Sequence, residues 1–318
     1  MAVDEDLLQR HRRYRDPRAG IEEEFLQPTL GDGKTVAVLA RPLERTQRVG
    51  WVICHSFGME QIYLGRLEVG IARAVAAAGF PVLRFHGHGY GDSQGGMEVA
   101  SLSSHLSEAR DAVELLAGRD GLDRVGVIGA RFGGLVAALL ADRESLPLLA
   151  AVDPVTNGSQ FMRDFLRTQV FSEMVGASEN GNASGMQKLR RQLTDRGWAD
   201  VKGFLLSRRA YEEISSATLR TELRSFDGSA LVLSVSRSGR PGPGVQELSS
   251  RLRELGASCE MAVVEHRLAG GFGQHHHRND AGARKTDTQF EVYQAVTRRV
   301  AEWARGFARP RGGQGSPA

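Results

Sequence analysis

The sequence predicts an α/β fold, a mostly parallel sheet flanked by helices. Three observations carry this reading. Short apolar runs alternate with segments of helical spacing along most of the chain. The apolar runs lack strict polar–apolar alternation, as expected of strands covered on both faces. The chain has 318 residues, 41% hydrophobic and 25% charged, enough to bury one large core.

Taken in order, the apolar runs predict strands over 35–40, 50–55, 81–85, 124–128, 148–152, 230–235 and 259–265. The second is the plainest, with four apolar residues in a row from Trp51 to Cys54. Helical spacing predicts helices over 67–78, 105–117, 134–142, 245–255 and 288–307. The last repeats Val292, Ala295, Val296, Val300 and Trp303 on one face. Residues 1–18 read as a polar arm, and 309–318, rich in Pro, Gly and Ser, as a disordered tail. Between 155 and 225 the alternation breaks into helical segments around a Gly/Asn/Ser-rich stretch. That divides the chain into a core, 19–154 and 226–308, and an insertion, 155–225, in the place of a lid. An ungated, packed subdomain is the alternative for the insertion.

Charge and cysteine usage narrow the function classes. The 41 basic and 38 acidic residues are mixed along the chain, so no clustered cationic face suggests nucleic acid. No apolar run reaches the ~18 residues of a membrane helix. The N-terminus lacks the apolar centre of a signal peptide. Cys54 and Cys259 are far apart and have no metal spacing, which predicts a reducing, cytoplasmic setting with no metal and no cofactor. A homodimer is left open.

Three motifs follow one another at consistent intervals. VICHSFG, 52–58, is an apolar strand running into a His/Gly turn. FPVLRFHGHGYGDSQG, 80–95, is a strand and a glycine-rich loop. VGVIGARFGG, 125–134, is a strand, a tight glycine turn and a helix start, with the spacing of G-x-S-x-G and small Gly129 and Gly133 where the turn is sharp. Its glycines do not fit G-x-G-x-x-G, which excludes a dinucleotide-binding turn.

Together these motifs resemble the α/β-hydrolase superfamily over residues 22–308. Within it the chain is most similar to the exosortase-associated and serine-aminopeptidase-like hydrolases, through Phe57-Gly58, AAAGFPVLRF (76–85) and Asp153-Pro154-Val155. The resemblance implies an α/β-hydrolase fold with a helical lid and a small acyl or anionic substrate. It also implies an oxyanion hole built at the turn of Ser56 and Phe57 and at the Phe132 N–H, with His86 at the usual aspartate position of the second motif.

The motif departs from the family at the nucleophile itself, which is Arg131. A guanidinium stays protonated and cannot attack a carbonyl. The usual acid position, after the strand 230–235, reads SRSG and offers no carboxylate, leaving Asp153 as the alternative acid. The histidine is expected in HRLAGGFGQHHH, 266–277, with His275 or His276 as general base and a solvated loop tip as the bland reading. His86 and His88 suit packing in tight turns, and His55 a turn residue whose ring bonds the backbone. Ser56 is a displaced nucleophile only if it leaves the oxyanion turn.

Arg131 admits two roles. At a helix N-terminus it suits a substrate carboxylate, phosphate or developing oxyanion. Equally, a salt bridge to Asp153 or a neighbouring carboxylate plugs a dead site. The first role gives an enzyme without a serine nucleophile, in which a histidine base performs hydrolysis or a lyase, isomerase or cyclisation step. That enzyme, acting on a small acyl substrate, is the expected function; the second role gives the alternative, a non-catalytic binding or scaffold protein.

Overall fold

The computed structural model describes residues 12–44, 46–119, 121–174, 181–266, 272 and 284–308. Nine strands form one sheet. They are β1 (Arg13–Asp16), β2 (Ile21–Leu26), β3 (Val36–Pro42), β4 (Val49–Cys54), β5 (Val82–His86), β6 (Arg124–Ala130), β7 (Leu148–Val152), β8 (Ser229–Ser236) and β9 (Ser258–Glu265), in spatial order β1-β2-β3-β5-β4-β6-β7-β8-β9. β1, β2 and β3 pair antiparallel, β3 also runs against β5, and every later pairing is parallel.

All seven strands expected from the apolar runs are present, shifted at their ends by a residue or two. Their side chains alternate between two cores. Val52, Cys54, Val127, Leu149, Ala151, Ala230 and Val232 face α2 (Leu102–Ala117), α3 (Phe132–Arg143) and α8 (Pro243–Glu254). Trp51, Ile53, Ile128, Ala150, Val152, Leu231 and Leu233 face α1 (Met59–Ala77) and α9 (Arg284–Arg305). A strand with apolar contacts on both sides cannot show polar alternation, so the runs read as continuous.

Two expectations need correction. α1 begins at Met59, eight residues before the start the periodicity suggested, because Glu60, Gln61 and Glu68 lie on its buried face and hide the apolar stripe. Residues 13–16 of the expected polar arm form the edge strand β1. Its charges serve as cross-strand pairs, Arg13 with Glu24 and Arg15 with Glu22, while Arg41 on β3 grips both glutamates. The tail 309–318 lies outside the described residues.

Between β7 and β8 the chain forms α4 (Gly158–Met174), α5 (Gly181–Arg196), a hairpin of Trp198–Val201 and Phe204–Ser207, α6 (Arg208–Ser216) and the short α7 (Leu219–Glu222). Two carboxylates clasp this cap to the core. Glu213 of α6 accepts from the Ser103 N–H (2.9 Å) and hydroxyl (3.0 Å) at the start of α2. Asp142, at the end of α3, accepts from the N–H groups of Arg224 (3.0 Å), Ser225 (2.7 Å) and Phe226 (2.8 Å), where the cap returns to β8. Bonds from a carboxylate to several amides are among the stronger hydrogen bonds. Asp142→Ala therefore removes the acceptor of three amides and is expected to lower stability by roughly 3 kcal/mol, read by urea unfolding.

Candidate active site

The tight turn between β6 and α3 puts Arg131 at φ 52° and ψ −118°. A non-glycine residue in the left-handed half of the map is strained, and here surrounding contacts force it. The turn is closed so tightly that a Cβ on Gly129 would collide with the Gly133 carbonyl, and one on Gly133 with the Cys54 carbonyl. The Arg131 N–H reaches the Val152 carbonyl at 2.9 Å, and the Val155 N–H reaches the Arg131 carbonyl at 3.0 Å, so β7 and the root of the cap hold the elbow from the side.

The Arg131 side chain does not point into open space. Its Nε donates to Glu60 Oε1 at 3.2 Å, and its Nη1 to Asp153 Oδ2 at 3.2 Å and the Asp153 carbonyl at 3.4 Å. Asp153, the residue after β7, is itself left-handed at φ 42°. Burial works against the guanidinium's charge, but Glu60 and Asp153 more than offset it and hold its pKa above the ordinary value. Burial likewise lifts the Glu60 carboxyl above its usual range, against the pull of Arg131. The Phe132 N–H, the expected oxyanion donor, lies near enough to favour the ionised form of Glu60. Glu60 was not singled out from the sequence. Its only signal was an acidic residue in the first turn after the motif 52–58.

The turn after β4 is equally committed. Ser56 is fully buried and its hydroxyl donates to the Ala130 carbonyl at 2.8 Å, tying the two strand ends together. The Gly58 N–H donates to the Tyr90 hydroxyl at 2.9 Å. His55 bonds the backbone on both ring nitrogens, Nδ1 with the Ser56 carbonyl (3.0 Å) and Nε2 with the Gly87 N–H (3.1 Å). This arrangement needs the neutral ring, and burial pushes its pKa well down. His86 is half-buried and its carbonyl accepts from the Ser93 hydroxyl.

Phe57 and Phe132 face the cap. Phe57 packs on Phe165 (5.7 Å) and Phe204 (5.0 Å), and Phe132 stacks on Phe161 (5.7 Å). All five rings are buried, so cap aromatics fill the space over the turn. Beside them His105 gives its Nδ1 to the Ser101 carbonyl at 2.7 Å, while its Nε2 is buried without a partner. A separate cleft of about 550 Å³ lies at the other end of α3, lined by Leu102, Leu106, Arg110, Leu140, Arg143 and Glu213.

His275 and His276 lie outside the described residues. The described histidine at the end of β9 is His266, whose pKa burial and Arg237 push down and Asp153 pulls up. Among the described residues no group of three His, Cys, Asp or Glu side chains could hold a metal ion, and no helix is long and apolar enough to cross a membrane.

Solved structures share this chain's fold at low sequence identity. Est1E from Butyrivibrio proteoclasticus, solved with ferulic acid bound, superposes with a TM-score of 0.59 at 17% identity over 87% of this chain and 97% of its own. An esterase from Pyrococcus furiosus gives 0.58 at 14% identity, covering 93% and 95%. Brefeldin A esterase, described as a bacterial homologue of human hormone-sensitive lipase, gives 0.54 at 18%, covering 97% and 81%. The fold is that of the α/β-hydrolases. In this α/β-hydrolase fold the elbow after β6 is where Arg131 stands. No family model and no curated protein matches the sequence.

The buried His105 gives a pH test. Burial holds its pKa at about 4, against an ordinary 6.5, so between these values the unfolded chain binds more protons than the folded one. Its contribution to stability is therefore whole above pH 6.5 and is lost as pH falls towards 4, a loss of about 3 kcal/mol. Urea unfolding at pH 6.5 and 4.5 should show a shallower decline in His105→Phe than in the wild type.

Proposed function

We propose that this protein is a non-catalytic member of the α/β-hydrolase fold, with arginine standing where the serine nucleophile would be. The observation that carries the reading is the pairing of Arg131 with Glu60 on one side and Asp153 on the other. An acyl-enzyme needs a nucleophile, a base beside it and free donors for the oxyanion. Arg131 cannot be the nucleophile, the Ser56 hydroxyl is spent on a carbonyl, and the Phe132 N–H favours the ionised Glu60. In this reading the cap is a packed cover over a converted site. Kinship with the exosortase-associated and serine-aminopeptidase-like hydrolases is part of the proposal, supported by the motifs at 57–58, 76–85 and 153–155. So is a cytoplasmic setting, supported by two free cysteines.

A second reading keeps catalysis. His266 feels the charge of Asp153 at the strand ends where base and acid stand in this fold. A histidine base assisted by Asp153 would activate water on a small ester or thioester, or take a proton from a carboxylate-bearing substrate in a lyase, isomerase or cyclisation step. This reading requires a limb near histidine's pKa in the pH–rate profile, lost in Asp153→Asn.

Two experiments separate the readings. A fluorophosphonate probe is expected to leave the wild type unlabelled, and p-nitrophenyl butyrate to turn over no faster than with heat-denatured protein. Steady turnover that falls at least about a hundredfold in Asp153→Asn would overturn the non-catalytic reading in favour of a histidine base. Arg131→Ala leaves the buried Glu60 and the half-buried Asp153 without their cation and should cost roughly 3 kcal/mol in urea unfolding, with esterase background unchanged.

A further inference from the structure

The glycine-rich loop after β5 is tied down at several points, and one of them differs from the rest in carrying charge. The Gln94 N–H donates to the Lys34 carbonyl at 2.9 Å, and the Lys34 N–H to Gln94 Oε1 at 3.2 Å. The Val36 N–H donates to Ser93 Oγ at 2.9 Å, and the Gly58 N–H to the Tyr90 hydroxyl at 2.9 Å. All of these join uncharged groups. The remaining tie is to Glu108, on the buried face of α2 and only 2% exposed. Its Oε1 accepts from the His88 N–H at 3.1 Å and faces His88 Nδ1 at 3.3 Å. The loop backbone passes so near that a Cβ on Gly87 would strike the carboxylate. The His88 ring in turn lies against the turn 31–33, where a Cβ on Gly33 would strike it. His88 is held between that turn and α2.

The surroundings of Glu108 oppose its ionisation. Burial, then the charges of Asp111 on α2 and Asp32 in the turn 31–33, work against the single pull of the His88 N–H and lift the carboxyl to about 7. The other titratable groups that face it are Tyr90, and His55, whose Nε2 takes the Gly87 N–H. Arg110 is engaged with Asp111 at 3.4 Å, and among the described residues no lysine or arginine pairs with Glu108. The same loop supports the cap. Tyr90 packs on Phe204 at 6.2 Å, and the turn Met97–Val99 lies against the cap strand Phe204–Ser207. We propose that the His88–Glu108 contact is a proton-operated latch, holding residues 87–99 and the cap hairpin that rests on them while Glu108 is protonated, and loosening both when it ionises. Ionisation places a third carboxylate beside Asp32 and Asp111 with no lysine or arginine to offset it, and lifting the loop gives that charge the water it needs. The closed arrangement holds the proton more tightly than an open one, whose carboxyl returns to its ordinary 4.5. Closure is therefore favoured at acid pH and loses that advantage as pH rises through 7.

The test is hydrogen–deuterium exchange of the full-length protein at pH 6 and pH 8, with every rate corrected for the intrinsic pH dependence of amide exchange. Protection of residues 87–99 and of the hairpin 198–207 is expected to be about tenfold lower at pH 8, the ratio that follows for a carboxyl moving between 4.5 and about 7. Glu108→Gln keeps an acceptor for the His88 N–H without the charge, and should hold the pH 6 protection at both values. Asp111→Asn removes one of the charges that oppose ionisation, so it should narrow the difference, and it serves if the glutamine variant fails to fold. The wild-type comparison needs neither variant. Equal protection at the two pH values, a difference as large in the folded variants as in the wild type, or loosening of 87–99 with the hairpin unchanged would each overturn the latch.

Discussion

One largely enclosed charge organises the centre of this molecule. The elbow between β6 and α3 fixes the backbone of Arg131 in a strained, left-handed conformation, and that geometry aims its side chain inward. A guanidinium cannot shed its proton to escape burial, so it must be paired. Glu60 and Asp153 meet that need from two different directions, the first turn of α1 and the end of β7. The ion cluster thus ties α1, the elbow and the root of the cap together.

The neighbourhood follows the same logic of internal satisfaction. Ser56, His55 and Gly58 each spend their polar groups on another part of the chain, and Phe161, Phe165 and Phe204 bring the cap down on Phe57 and Phe132. Around this centre sit buried carboxyls held far from their ordinary behaviour. Burial lifts both Glu68 and Glu108 to about 7, each eased by one backbone N–H. Their effect on stability opposes that of His105: a carboxyl with a raised folded pKa favours folding at low pH and loses that advantage as pH rises towards 7. Acid therefore acts on this core through two terms of opposite sign.

Backbone likeness to esterases and an arginine at the elbow coexist without conflict. The turn's shape depends on small residues at Gly129 and Gly133, where any side chain would strike a carbonyl. It depends much less on what stands between them, since the side chain of residue 131 leaves the turn and is held by others. A fold can keep the frame of a catalytic site while its chemistry is exchanged.

The sequence by itself determined the architecture. Apolar runs buried on both faces, and three motifs at fixed intervals, are local features, legible without knowing what lies opposite. They located seven strands and the tight turn that carries Arg131. What only the tertiary structure decided is where each charge ends. Glu60 and Arg131 are 71 positions apart in the chain, and no periodicity links them. The buried face of α1 was masked for the same reason, because Glu60, Gln61 and Glu68 look exposed until their partners arrive. Hydrophobic burial follows a local pattern, while the pairing of enclosed charge depends on contacts between distant segments, and only the folded chain brings Glu60, Arg131 and Asp153 together at the elbow.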